Sequence, residues 1–173
     1  MANIQINRVT NANIYIDGNC LLGTAEEIKL PDIDVKETEH KALGMVGTIQ
    51  LPSGFEKLEG NIKWNSFYHD IWLKLGNPFK PVSIQCRASV DAYSSQGRGA
   101  QQALVCFITA TFKKLPLGSF KQNDNAEFQS DYTATYIKQQ LAGVDVLELD
   151  ALANIFKVGG VDQLDVYRGN IGG

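Results

Sequence analysis

His40 and His69 are the only imidazoles in the chain, so proton transfer near neutral pH would fall to one of them. His69 stands next to Asp70 in a stretch of helical spacing, and adjacent helical residues do not face each other. His40 lies in a charged run. No G-x-S-x-G motif and no Cys–His pattern accompanies either one. Both read as surface or interface residues, and no catalytic residue is assigned. Asp32, Asp34, Glu37 and Glu39 form an acidic cluster without the glycine and terminal Glu of a calcium loop. Lys36 and Lys41 interrupt it, which makes it a solvated or interface cluster and not a metal site. Cys20, Cys86 and Cys106 are widely spaced and form no C-x-x-C pair. They read as reduced, small apolar side chains. Cys86 and Cys106 lie on the apolar faces of two strands that form one hairpin, with a register that the sequence leaves open. Gly97-Arg98-Gly99 lacks the third glycine, the lysine and the strand-to-helix setting of a phosphate loop. It reads as a hairpin turn. Trp64, Trp72, Tyr132 and Tyr136 would stack bases only beside a basic groove, and none is visible. Core packing is the expectation.

Composition sets the bounds around these residues. The 173 residues fit one domain, 44% are hydrophobic, 20% are charged, and the net charge is −3. A dedicated nucleic-acid binder concentrates Lys and Arg on one face. Here the basic residues are scattered, with Lys113-Lys114 the only adjacent pair. The start, Met1 to Arg8, is polar and alternating, so a secretory signal is not expected. No stretch has the length of a membrane-spanning helix.

Periodicity assigns mostly strands. Residues 13–17 alternate and end at the Asp17-Gly18 turn. Residues 20–30 continue as strand, stopped by Pro31. Residues 32–60 are charged, then rich in Gly and Pro. They read as a long extended arm that orders on a partner, with one strand near 45–51. Residues 61–66 alternate again. Tyr68, Ile71, Trp72 and Leu75 recur at helical spacing, with Ser66 as cap and Gly76 as stop. Residues 82–93 alternate most cleanly. Val82, Ile84, Cys86, Ala88, Val90 and Ala92 form an apolar face against the polar Ser83, Gln85, Arg87, Ser89, Asp91 and Tyr93. Strands follow at 102–114, at 127–140 with Phe128, Tyr132, Ala134 and Tyr136 on one face, and at 144–149. Asp150 is expected to cap a short helix over 151–157, stopped by Gly159-Gly160. The predicted fold is mainly β: an antiparallel barrel or sandwich with one central short helix, a long arm at about 32–60 and a short C-terminal helix.

Three stretches in order carry a family resemblance. They are Asn13-Ile14-Tyr15-Ile16-Asp17-Gly18, Leu30-Pro31-Asp32-Ile33, and the closing G-V-D-x-L-x-x-x-R-x-N-I-G of residues 160–172. The last is followed by Gly173. Together they resemble the major tail tube proteins of contractile-tailed bacteriophages and R-type pyocins. The resemblance implies a single-domain structural protomer without catalytic site, metal or cofactor, one that forms hexameric rings stacked into a hollow tube inside a contractile sheath. Implied partners are further copies of the chain, the sheath protein, baseplate and tail-terminator proteins, and transient non-specific contact with DNA in the lumen, with no membrane insertion. The implied location is the tail tube of a virion or tailocin, assembled in the bacterial cytoplasm. Lys36, Glu39, His40, Leu43, Met45 and Ile49 are the expected inter-ring stacking residues. Ser83, Gln85, Arg87, Ser89 and Asp91 are the expected lumen face. Asp162, Arg168 and Asn170 are expected to face the sheath. Two other readings stand beside this one: a type VI secretion-like inner tube protein, and a monomeric ligand-binding β-barrel.

Overall fold

A computed structural model describes residues 4–172. Met1 to Asn3, from the polar start, and the final Gly173 lie outside the described residues. The elements run β1 (Ile6–Ile16), β2 (Asn19–Cys20), β3 (Ala25–Lys29), β4 (Val35–His40), β5 (Ile49–Phe55), β6 (Leu58–Trp64), α1 (His69–Leu75), β7 (Val82–Ser94), β8 (Gly97–Lys114), β9 (Phe128–Leu141), β10 (Val144–Asp150), β11 (Ile155–Val158), β12 (Val161–Asp162) and α2 (Asp165–Ile171).

The strand-rich sequence yields one antiparallel ten-stranded sheet, ordered β12-β11-β10-β9-β8-β7-β1-β2, plus a separate β4–β5 hairpin. The sheet forks at β9. Phe128–Ala134 pair with β6, which carries β3 on its far side, and Tyr136–Leu141 pair with β10. It does not close into a barrel. The β3–β6 wing and α1 instead fold over one face, giving a sandwich whose core holds Ile14, Ile84, Ile108, Tyr132, Trp64 and Leu75. This apolar face is the one that alternation in residues 82–93 predicts.

Local chemistry explains the elements. Asp17 (φ 48°) and Gly18 (φ 80°) take the left-handed pair that a tight hairpin requires. The β7–β8 turn is tighter than expected, with Ser94 already opposite Gly97. On β9 the alternation shifts between Thr109/Ala110 pairings. Ile137 therefore takes the core position expected of Tyr136, whose hydroxyl donates to Glu148 instead.

Four other expectations are corrected. Residues 151–157 are not helical: the Asp150 carboxylate accepts the N–H groups of Leu152 and Ala153, both at 3.0 Å, and closes a turn. Ile155–Val158 then pair with β10, and the C-terminal helix lies later, at Asp165–Ile171. The arm is not a single strand with unpaired surroundings. It is a hairpin, and residues 58–60 belong to β6 in the main sheet. Ser66 does not cap α1, whose N-cap position is Tyr68 without a side-chain bond. Gly76 does close the helix, but with right-handed geometry (φ −70°) and its N–H on the Trp72 carbonyl.

Candidate assembly surfaces

Three surfaces hold the residues singled out above. The first is the arm. β4 and β5 pair only with each other, from Val35 opposite Phe55 to His40 opposite Ile49. A bulge at Lys36/Glu37 bends the hairpin, and Ser53 Oγ donates to the Lys36 carbonyl at 3.0 Å. Lys36, Glu39, His40, Leu43, Met45 and Ile49 all stand exposed on it, and Leu43 and Val46 at the tip have no cover at all. Lys41 pairs with Glu39 at 3.0 Å. The base is fixed: the Glu56 N–H donates to the Asp34 carbonyl at 2.9 Å, and the Phe55 ring lies 4.7 Å from Phe156.

The second surface is the outer face of the sheet. Ser83, Gln85, Arg87 and Ser89 lie on it as expected. Asp91 shares their strand face but is buried, accepting from Ser89 Oγ and Gln101 Nε2, both at 2.9 Å. Those bonds, with Arg98 at 3.9 Å, hold its carboxyl below the usual range. Register extends this face across Val105, Phe107 and Thr109 to Tyr136, Lys138 and Gln140, then to Asp145 and Glu148, and to Lys157. Its two lysines are matched by carboxylates. Lys138 meets Asp145 at 2.9 Å and Lys157 meets Glu148 at 3.2 Å. Arg87 lies 5.5 Å over the Tyr15 ring. The Gln85 amide oxygen, oriented to satisfy both groups, accepts from Arg87 Nε and Nη2. Burial, then the Glu148 carboxylate, push the Tyr136 hydroxyl up to about 12.

The third surface is the C-terminal segment. Here Arg168 turns inward. It meets Asp162 at 2.7 Å, donates to the Asn154 carbonyl at 2.9 Å and reaches Asp165 at 3.3 Å. Asp162 also accepts the Leu164 N–H, and these bonds hold its carboxyl low. Asp162 and Arg168 therefore fasten α2 to the body. Of the three residues expected to face outward, Asn170 is the exposed one. Gly172 (φ 79°) ends α2 in the left-handed conformation, its N–H on the carbonyls of Arg168 and Gly169. The signature's spacing is thus a turn, a lock and a cap.

Residues 6–172 match the family model of phage tail tube protein FII. The chain belongs to this family. It is a tail tube protein, a structural component and not an enzyme. It is 24% identical over 166 residues to the tail tube protein of Escherichia phage P2, covering 92% of this chain and 94% of that one. Its fold is similar to a chain of the cryo-EM PVC extracellular contractile injection system sheath–tube complex in the extended state. The TM-score there is 0.56, with 13% identity over 75% of this chain and 87% of that chain. A chain of the PVC sheath/tube terminator gives a TM-score of 0.54 and 13% identity over 75% and 92%. The family model spans residues 6–172, and the solved structures superpose on 75% of the chain.

His40 directly follows Glu39 on the exposed β4, and His69 Nδ1 lies 3.4 Å from Asp70 Oδ1, so these helical neighbours do meet, at the exposed start of α1. Among the described residues no His, Cys, Asp and Glu group could hold a metal ion. Cys86 and Cys106 face each other directly across β7 and β8. Burial raises both thiols, Cys86 to about 11, so they stay protonated and inert. Sequence reading missed the Arg168 lock and the hairpin form of the arm.

Proposed function

We propose that this tail tube protein is the protomer of the inner tube of a contractile particle. It forms hexameric rings that stack into a hollow conduit inside a sheath, for DNA passage or membrane puncture. The observation that carries this reading is the β4–β5 hairpin, which pairs with no strand of the main sheet while its apolar residues face solvent. A two-stranded hairpin is marginal in water by itself. A neighbouring copy would cover Leu43, Met45 and Ile49, and Lys36, Glu39 and His40 would set the polar rim of that contact. Lateral pairing of free strand edges would join copies into rings.

The matched charges of the outer sheet face support its assignment to the lumen, with Ser83, Gln85, Arg87 and Ser89 on it and Asp91 bracing the strand beneath. Lys138 and Lys157, already paired with carboxylates, have little left for DNA phosphates, so a strand would slide. Asn170 and the exposed side of α2 would meet the sheath, with Asp162 and Arg168 holding that helix in place. The structural neighbours come from a sheath–tube complex and a tube terminator, which supports sheath and terminator proteins as partners. Baseplate proteins would cap the other end. Assembly would take place in the bacterial cytoplasm, and the particle is a phage tail or a tailocin.

Negative-stain electron microscopy of the purified chain, with light scattering on the same sample, tests the reading. Hollow rings or tubes are expected. A monomer that persists at high concentration, even with terminator or baseplate protein added as initiator, would overturn it.

A further inference from the structure

The sheet and the layer that covers it are out of step along the strands. Cross-strand partners share a face, so the core face can be followed by register. Beneath the core, Ile84 faces Ile108 and Cys86 faces Cys106; one step on, Ala88 faces Leu104, Leu104 faces Leu141, and Leu141 faces Val144. At the margins Val9 faces Val90, and Val161 faces Val158. This continuation is largely apolar, interrupted by Gln139 opposite Cys106 and Gln102 opposite Val90, and β6 covers only the other half of β9. Val144 and Val161 are 69% and 64% exposed.

At the opposite end of the same strands the covering layer overhangs. There β8 stops at Lys114 and β9 begins at Phe128. Phe67 packs tilted against Trp72 at 5.0 Å, and Phe120 meets Phe128 edge-on at 6.1 Å. This end stays bare on its outer side: Phe67 is 54%, Leu117 85% and Phe120 77% exposed. The fourteen residues of β9 separate the two patches by roughly 45 Å, so one chain cannot bring them together.

We propose that the patches meet between copies: the aromatic end of one protomer covers the bare core face at the far end of the next, head to tail along the strands. The inference rests on the tube reading and names an apolar stacking contact separate from the arm. A second copy is the occupant that fits, because it carries the missing stretch of covering layer displaced by one molecular length. The contact joins two different patches, so each bound copy presents a fresh one, and the association repeats without using itself up. Exposed apolar surface on this scale marks an interaction site.

Two double variants test this, Leu117→Asp with Phe120→Asp and Val144→Asp with Val161→Asp. Circular dichroism checks their fold, and the single variants Leu117→Asp and Val144→Asp replace any double variant that unfolds. Each alone should lose at least tenfold of the sedimentable assemblies formed by the unmodified chain. An equal mixture should give a species of twice the mass that either forms alone, since one intact aromatic end still meets one intact bare face. Variants that assemble like the unmodified chain, or a mixture no larger than its components, would overturn the contact. Tubes from the unmodified chain together with a silent mixture would sink the contact and leave the tube reading standing. A mixture that pairs while the unmodified chain forms no tubes would do the reverse.

Discussion

At the scale of single residues, Asp162 and Arg168 show why a signature's purpose is hard to read from its letters. Polar residues near a terminus suggest an outward surface. Here a turn at Gly159-Gly160 and a short helix bring the two together, and no linear spacing rule announces the pair. The lock has a pH signature. Arg168 holds the Asp162 carboxyl below its ordinary value, so its contribution is complete above the unfolded value of about 4. It is lost as pH falls through the lower folded value. The protection of amides 165–171, relative to their unfolded exchange rates at the same pH, should therefore fall on acidification below about pH 4, and Arg168→Ala should show the low protection already at pH 7. Exchange in α2 that ignores both changes would mean the pair does not hold the helix. A second residue-scale prediction concerns Gly60. A methyl group there would collide with the Tyr132 ring and hydroxyl and the Lys29 carbonyl. Tyr132 is itself fixed by donating to that carbonyl at 3.0 Å. Gly60→Ala should cost about 1–3 kcal/mol by overpacking, read by urea unfolding, while Tyr132→Phe should cost roughly 1 kcal/mol for the lost bond. In the sequence Gly60 looked like one more glycine of the arm. The close approach that requires it involves residues 29 and 132, which only the folded sheet brings near.

At the scale of elements, alternation proved legible where strands are long and half-buried. Residues 82–93 fall within β7 with the expected apolar face inward, and the 127–140 strand lies within one residue of β9 at each end. Short elements were not legible. A single side chain, Asp150, decides between helix and turn at 151–154, and it bonds equally well to the start of either. The arm escaped because the Lys36/Glu37 bulge, Pro52 and Gly54 break the period-two pattern of its strands. Its hairpin form allows a clean deletion. The Glu56-to-Asp34 bond already holds the ends of the arm together, so a two-residue turn can replace residues 36–54 without moving β3 or β6. The shortened chain should melt within a few degrees of the full one and form no tubes in electron micrographs. Tubes of normal length from that chain would show that the arm is not a stacking element.

At the scale of the whole molecule, the outer sheet face raises a question about charge. A conduit for a polyanion must neither repel its cargo strongly nor hold it. On this face three cations have a nearby partner, Arg87 over Tyr15, Lys138 against Asp145 and Lys157 against Glu148, while Arg8, opposite Asp91, stands exposed at the edge. If the face lines the lumen, its repetition around a ring presents matched charges at every level of the tube. Reversing two of them makes the assignment measurable. Asp145→Lys with Glu148→Lys leaves Lys138 and Lys157 unpaired and adds two cations per copy, multiplied by every copy along the tube. Tubes of this variant should retain fluorescent double-stranded DNA at 0.15 M salt, where the Debye length is about 8 Å, and release it as salt rises, because phosphate contacts displace counterions. Tubes of the unmodified chain should retain little at the same salt. The retained DNA should also resist added nuclease if it lies inside, whereas DNA on the outer wall would be digested. Retention with full nuclease sensitivity would place this face on the outside of the tube, and no retention at all would place it in a contact between copies.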